Sequence, residues 1–265
     1  MQVNNNATSS IFNQVQEKQD TLFEKLASGK KVNDATGGAA AQQIIDRLTS
    51  EVEGSRQAVN NVYDGISLAQ VAEGGLSSVN DDVNRIRELT LQSENGILND
   101  GDRQALQSEI SQLQDNISQT IEQTNFAGKP LLSQDGALSF QVGASASNSL
   151  DIETQDYANR LSGVLAIDLT AGTSVNDALV AADEAIEIVG GAQSELGATQ
   201  NALQSTARNL TQGTVNTAEA RSRVQDLDYA QASSQQAANS IQSQAALTVQ
   251  AQANQQQGAV LALLS

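Results

Sequence analysis

Apolar residues at the start of the chain recur at Phe12, Val15, Leu22 and Leu26, with Gln19 filling the slot between them. That spacing is the heptad seam of a coiled coil with one polar position. Gly29 and then Gly37-Gly38 interrupt it. The pattern resumes at Ile45 and passes through Leu48, Val52, Ser55, Val59, Val62, Ile66 and Ala69. Near Ala72 it shortens by one residue, a stammer, and continues through Leu76, Val79, Val83 and Ile86. A helix over residues 42–95 spans roughly 80 Å at 1.5 Å per residue, more than a compact globule of this size accommodates. The expectation is therefore a rod. Asn95-Gly96 and Asn99-Asp100-Gly101 reverse the chain, and Leu106, Ile110, Leu113, Ile117 and Ile121 predict a second helix antiparallel to the first.

The character changes after Phe126-Ala127-Gly128-Lys129-Pro130. Alternation over residues 137–142 and 150–152 predicts two short strands joined through Gly143 to Ser149. Helical spacing returns at Leu179, Ala182, Ile186, Val189, Gln193, Leu196, Gln200, Leu203, Ala207 and Leu210, with the glutamines read as polar positions that set register. Beyond Val224 the pattern thins into Gln, Ala and Ser before the last leucines. Both ends therefore carry apolar faces too weak to hold a monomer core, and they are expected to pack on each other or on neighbouring copies. The fold class is mainly α: a long rod of antiparallel coiled-coil helices with a small β-hairpin. Its expected divisions are an N-terminal arm at 1–40, rod helices at 41–130, the hairpin region at 131–174, a rod helix at 175–229 and a C-terminal arm at 230–265.

Composition narrows the function. The 265 residues contain one Pro and only 3% aromatics, which suits long helices and disfavours a β-sandwich. With no His and no Cys, nucleophiles, zinc sites and iron centres built on those side chains are excluded. No cofactor, metal or catalytic residue is expected, and neither is an enzyme. The net charge of −17 argues against binding nucleic acid, and no apolar stretch is long enough to insert in a membrane. The first residues lack a basic segment followed by an apolar one, so they do not read as a secretory signal. Asp81-Asp82 reads as a charged face. Asp226 and Asp228, taken as two apart on a helix, do not face each other and so do not share a proton.

Several ordered motifs carry a more specific likeness. The run Asn84-Arg85-Ile86-Arg87-Glu88-Leu89-Thr90-Leu91-Gln92-Ser93 closely resembles the arginine-bearing segment of bacterial flagellins. Ala220-Arg221-Ser222-Arg223-Val224-Gln225-Asp226-Leu227-Asp228-Tyr229-Ala230 resembles the corresponding segment near the C-terminus. Asn61-Val62-Tyr63-Asp64-Gly65-Ile66 and Gln123-Thr124-Asn125-Phe126-Ala127-Gly128 fit the same template in the same order. The central region is short and leaves no room for the outer domains that many flagellins insert there.

The resemblance implies a structural subunit, secreted and located in the extracellular filament, that polymerises with itself for swimming motility. Implied partners are other copies of the chain, a flagellar export chaperone with the type III export apparatus, hook-associated and cap proteins, and the host Toll-like flagellin receptor. By the same resemblance, receptor contacts fall on Arg85, Leu89 and Glu109, with Leu89 as an apolar anchor and Glu109 free beside the rod. Leu261, Leu263 and Leu264 form the assembly and chaperone tail. Two other readings fit part of the pattern: a hook–filament junction protein, and an unrelated intracellular coiled-coil scaffold. Arg85 could equally be paired to a nearby carboxylate and bind nothing else.

Overall fold

The computed structural model describes residues 5–33, 38–145, 147–170 and 174–264, with side chains described from 13 to 249 within those ranges and at 251, 252 and 255. Gly37 and the side chain of Phe12 lie outside the described residues. The elements in order are α1 (Asn5–Ser28), α2 (Ala39–Ser93), α3 (Asp100–Gln123), β1 (Asn125–Phe126), β2 (Lys129–Pro130), β3 (Ser133–Gln141), β4 (Ser149–Asp156), α4 (Tyr157–Arg160), α5 (Ser162–Leu165), α6 (Val175–Gln225) and α7 (Tyr229–Leu264). The chain is mainly α with a small hairpin, as the periodicity predicts. It divides into two compact units, 1–52 with 215–265, and 53–214.

The second unit is built around α2. Its stripe Val62, Ile66, Ala69, Ala72, Leu76, Val79, Val83, Ile86 and Leu89 is buried, and it shares one core with Ile110, Ile117 and Ile121 of α3 and with α6. On α6 the buried positions are Ala178, Ala182, Ala185, Val189, Ala192, Leu196, Leu203 and Ala207. Leu179, Ile186 and Gln193 are displaced from that seam by one residue. Alanines give the closer helix approach, so the larger neighbours turn to the flank. Gln200 Nε2 donates to Glu73 Oε2 at 2.7 Å, fixing α6 against α2. At Gly75 an added Cβ would stand 2.6 Å from Thr124 Oγ1, so only glycine lets the end of α3 settle on α2.

The hairpin is longer than the alternation indicates. β3 and β4 pair antiparallel, with Leu138 opposite Ile152 and Phe140 opposite Leu150, and those four side chains turn to the core. Alternation fades outside residues 137–142 because both faces of β3 stay in solvent over residues 134–137. A second, two-residue pair joins Phe126 to Lys129 through Ala127 and Gly128, both at positive φ (50° and 79°) as a tight primed turn requires. The short helices α4 and α5 were not signalled by periodicity. With Leu161 between them they bury Tyr157 and Val164, and Gln114 Nε2 on α3 ties the segment down by donating to the carbonyls of Val164 and Ile167, each at 3.0 Å.

In the first unit α1 ends at Gly29, whose φ of +68° stops the helix. The chain then locks onto the junction between α6 and α7. Lys31 N donates to Gln225 O at 2.6 Å, and Leu227 N donates to Gly29 O at 3.0 Å. Helices α1 and α7 pack along each other. Val15, Gln19, Leu22 and Leu26 are the half-buried face of α1, matching the expected seam. The polar slot is filled: Gln19 Nε2 reaches Ser240 Oγ at 3.4 Å. Asp226 and Asp228 do not share a helix. They flank the break between α6 and α7, where the backbone of Asp226 pairs antiparallel with that of Lys30 and Asp228 Oδ1 caps α7 by accepting from Gln231 N.

Candidate functional site

Residues 84–93 close α2, and their spacing splits them between core and surface. Ile86, Leu89, Thr90 and Ser93 continue the buried stripe, with the two hydroxyls satisfied by carbonyls of their own helix, Ile86 O and Thr90 O. Arg85, Arg87 and Glu88 take the outer positions. Two arginines two residues apart point in different directions and each reaches a different helix. Arg85 donates through Nε (3.0 Å) and Nη2 (2.8 Å) to Glu109 Oε1 on α3, and through Nη1 to Glu88 Oε2 at 3.1 Å. Arg87 Nε donates to Asp183 Oδ1 on α6 at 2.6 Å. Hydrogen bonding by Glu109, and then by Glu88, holds the Arg85 guanidinium above its ordinary pKa, so it stays charged.

Of the three residues singled out, the structure joins Arg85 and Glu109 directly, with side chains 49% and 46% exposed. Glu109 is therefore occupied and not free beside the helices. Leu89 is 1% exposed and lies in the core beneath them, so it is no surface anchor. The apolar side chain that does reach solvent in this run is Leu91, at 44%. The sequence held the signal for both. Leu89 extends the step from Val79 through Val83 and Ile86, and Leu91 falls off it. The backbone at Leu261, Leu263 and Leu264 belongs to α7, but their side chains lie outside the described residues.

Asp82 is also more than a charged face. It is half-buried, and burial first, with the Asp81 charge second, raises its pKa above the ordinary 3.8. Among the described residues no cluster of His, Cys, Asp and Glu could hold a metal ion, and no helix is long and apolar enough to cross a membrane.

The arms present a different kind of surface. Where α7 meets α1 its inward positions are small or polar: Ala232, Gln236, Ser240, Ser243 and Ala246. Among the described residues its large apolar side chains point away, with Tyr229, Ile241, Leu247 and Val249 all exposed, as is Phe23 on α1. The described part of α7 thus turns small and polar side chains inward and leaves its large apolar ones open to other molecules.

Long antiparallel helices, surface ion pairs and outward-facing arm residues define a helical structural subunit. Family models agree. The bacterial flagellin N-terminal helical region matches residues 1–137, and the C-terminal helical region matches 179–264. A flagellin of Halalkalibacterium halodurans is 37% identical over 91% of this chain and 90% of its own length. One of Bacillus subtilis is 36% identical over 91% of each. A solved structure described as a flagellar hook-associated protein from Vibrio parahaemolyticus matches 68% of this chain and 95% of that one, with a TM-score of 0.58. At 16% identity that likeness shows the fold alone. The chain belongs to the flagellin family and is a structural subunit of the extracellular filament of the bacterial flagellum, the organelle of swimming motility. Neither the hook–filament junction reading nor the intracellular scaffold draws support from these matches.

Proposed function

We propose that the two arms, 1–40 and 230–265, make the principal contacts between copies in the filament, while 41–130, 131–174 and 175–229 act as its outer, load-bearing part. The observation that carries this is the inverted burial of α7, with Ile241, Leu247 and Val249 exposed and Gln236 and Ser240 turned inward. Neighbouring copies would supply the apolar cover that α1 does not. The role is mechanical and needs no catalysis, cofactor or metal. Deleting residues 256–265, with Leu261, Leu263 and Leu264, is expected to abolish filaments in electron micrographs while leaving the melting of residues 53–214 unchanged. Normal filaments from that variant would overturn the assignment. The same tail is the expected docking segment for the export chaperone on the way to the type III export apparatus, and hook-associated and cap proteins would meet the two ends of the polymer.

A second reading concerns the host Toll-like flagellin receptor. The Arg85–Glu109 pair, half exposed and held at 2.8 Å, offers a preformed guanidinium and carboxylate, with Leu89 positioning the helix from beneath. Arginines of this kind are frequent hot spots. Monomer is expected to trigger a receptor reporter cell, with Arg85→Ala costing tenfold or more in activity, as loss of a hot-spot arginine does. Full activity of Arg85→Ala would leave the pair with a purely structural role.

A further inference from the structure

Ile97 is 85% exposed, more than any other large apolar side chain among the described residues. It does not sit on a slack loop. Leu98 N closes a turn onto Asn95 O at 3.1 Å, and two residues beyond Ile97 Asn99 opens α3 with a capping box, accepting from Asp102 N while its own N donates to the Asp102 carboxylate. A β-branched side chain is thus held outward by fixed backbone on both sides.

The same unit carries an apolar groove of about 400 Å³ between α2 and the two hairpins. Leu68 contributes from the buried face of α2, and Phe126, Leu138 and Phe140 are half-buried beside it. Lys129, exposed and without an ion pair among the described residues, lines it too, as does Asp64. The turn bearing Ile97 is flanked by Glu94, Asp100 and Asp102, with Arg103 next in sequence. Its charges therefore complement those of the groove, carboxylates for Lys129 and a guanidinium for Asp64. Between groove and turn, α2 continues from Leu68 to Ser93, about 38 Å of helix at 1.5 Å per residue. The knob cannot enter its own groove.

We infer that the groove beside Phe126, Leu138 and Phe140 receives the Ile97 turn of a second copy of this chain in the filament. Knob and hole are different surfaces of one chain, so the contact is heterologous. Repeated, it extends an open stack and does not close into a dimer. The inference rests on the reading of the chain as a filament subunit and adds the residues that would make one of its contacts.

The chain contains no cysteine, so engineered thiols report on this contact without background. Filaments of Ile97→Cys/Ser139→Cys, mildly oxidised, are expected to give a ladder of covalent oligomers on non-reducing gels. Each single variant, and Ile97→Cys paired with Ser77→Cys on the exposed side of α2, should give none. Ile97→Asp is expected to raise the critical concentration for polymerisation at least tenfold with an unchanged circular dichroism spectrum and melt, because the residue is 85% exposed in the single chain. Filaments that yield no ladder, a ladder equally strong in the Ser77 control, or an unchanged critical concentration for Ile97→Asp would each overturn the contact. Failure of the unmodified chain to polymerise at all would count against the filament reading itself.

Discussion

Among single residues, Ala127 carries the clearest cost. It holds φ at 50° in the tight turn ahead of Gly128, a conformation that asks about 1–2 kcal/mol of a side chain with a Cβ. Asparagine tolerates that region, and Asn-Gly is the favoured pair in such turns. Ala127→Asn is expected to stabilise the chain by about 1 kcal/mol, read as a higher urea midpoint; an unchanged or lower midpoint would refute it. Asp82 carries a different cost. Its pKa in the folded chain lies above 3.8 because burial and Asp81 disfavour its charge. The folded state therefore holds the Asp82 proton more tightly than the unfolded state does. This group lowers stability at neutral pH, and the penalty is relieved as pH falls through the raised value toward 3.8. Asp82→Asn should accordingly stabilise the chain at pH 7, and the gain should vanish near pH 3.5. A gain that is the same at both pH values would place its origin elsewhere. The Arg85–Glu109 pair, half exposed and screened by solvent, contributes little to stability by comparison.

Helices fare differently as sources of information. α2 was legible almost position by position, because its seam is made of Val, Ile and Leu at regular steps, with Val52, Val62, Leu76, Val79 and Val83 all buried. On α6 the true seam runs through Ala178, Ala185 and Ala192, one residue before Leu179, Ile186 and Gln193. Hydrophobic weight favours the larger side chain, whereas helix approach favours the smaller, and a single chain's pattern does not say which governs. α4 and α5 are four residues each, too short to establish a period. At the candidate site the identity of the residues was readable and their partition was not. Arg85 and Leu89 are four apart, yet the first lies on the rim of the stripe and the second on its floor. For the arms, the weak face of α7 implies that free monomer loses residues 1–35 and 230–265 early in limited proteolysis and keeps a resistant middle. In filaments both ends should be protected. Equal cleavage of the ends in monomer and polymer would contradict this.

At the scale of the whole molecule, charge sets the conditions of assembly. Each copy brings a net charge of −17, so close packing accumulates repulsion that ions screen over about 8 Å at physiological strength. Raised ionic strength, or sulfate, is expected to speed polymerisation followed by light scattering. If salt at neutral pH slows it, specific ion pairs across the contacts outweigh the net charge. The mixed seam between α1 and α7 has a thermal consequence as well. Unfolding exposes apolar surface with a positive heat-capacity change and polar surface with a negative one, so a seam that sets Gln19, Gln236, Ser240 and Ser243 among Val15, Leu22 and Leu26 offsets part of its own contribution. The enthalpy of separating the two helices should then vary less with temperature than that of an all-apolar pair. In calorimetry the arms would melt in a broad transition with a flat baseline shift, beside a sharp step from the Val-, Ile- and Leu-filled core of residues 53–214. Cooling, which weakens apolar cores, should therefore weaken this helix pair less than the core of residues 53–214.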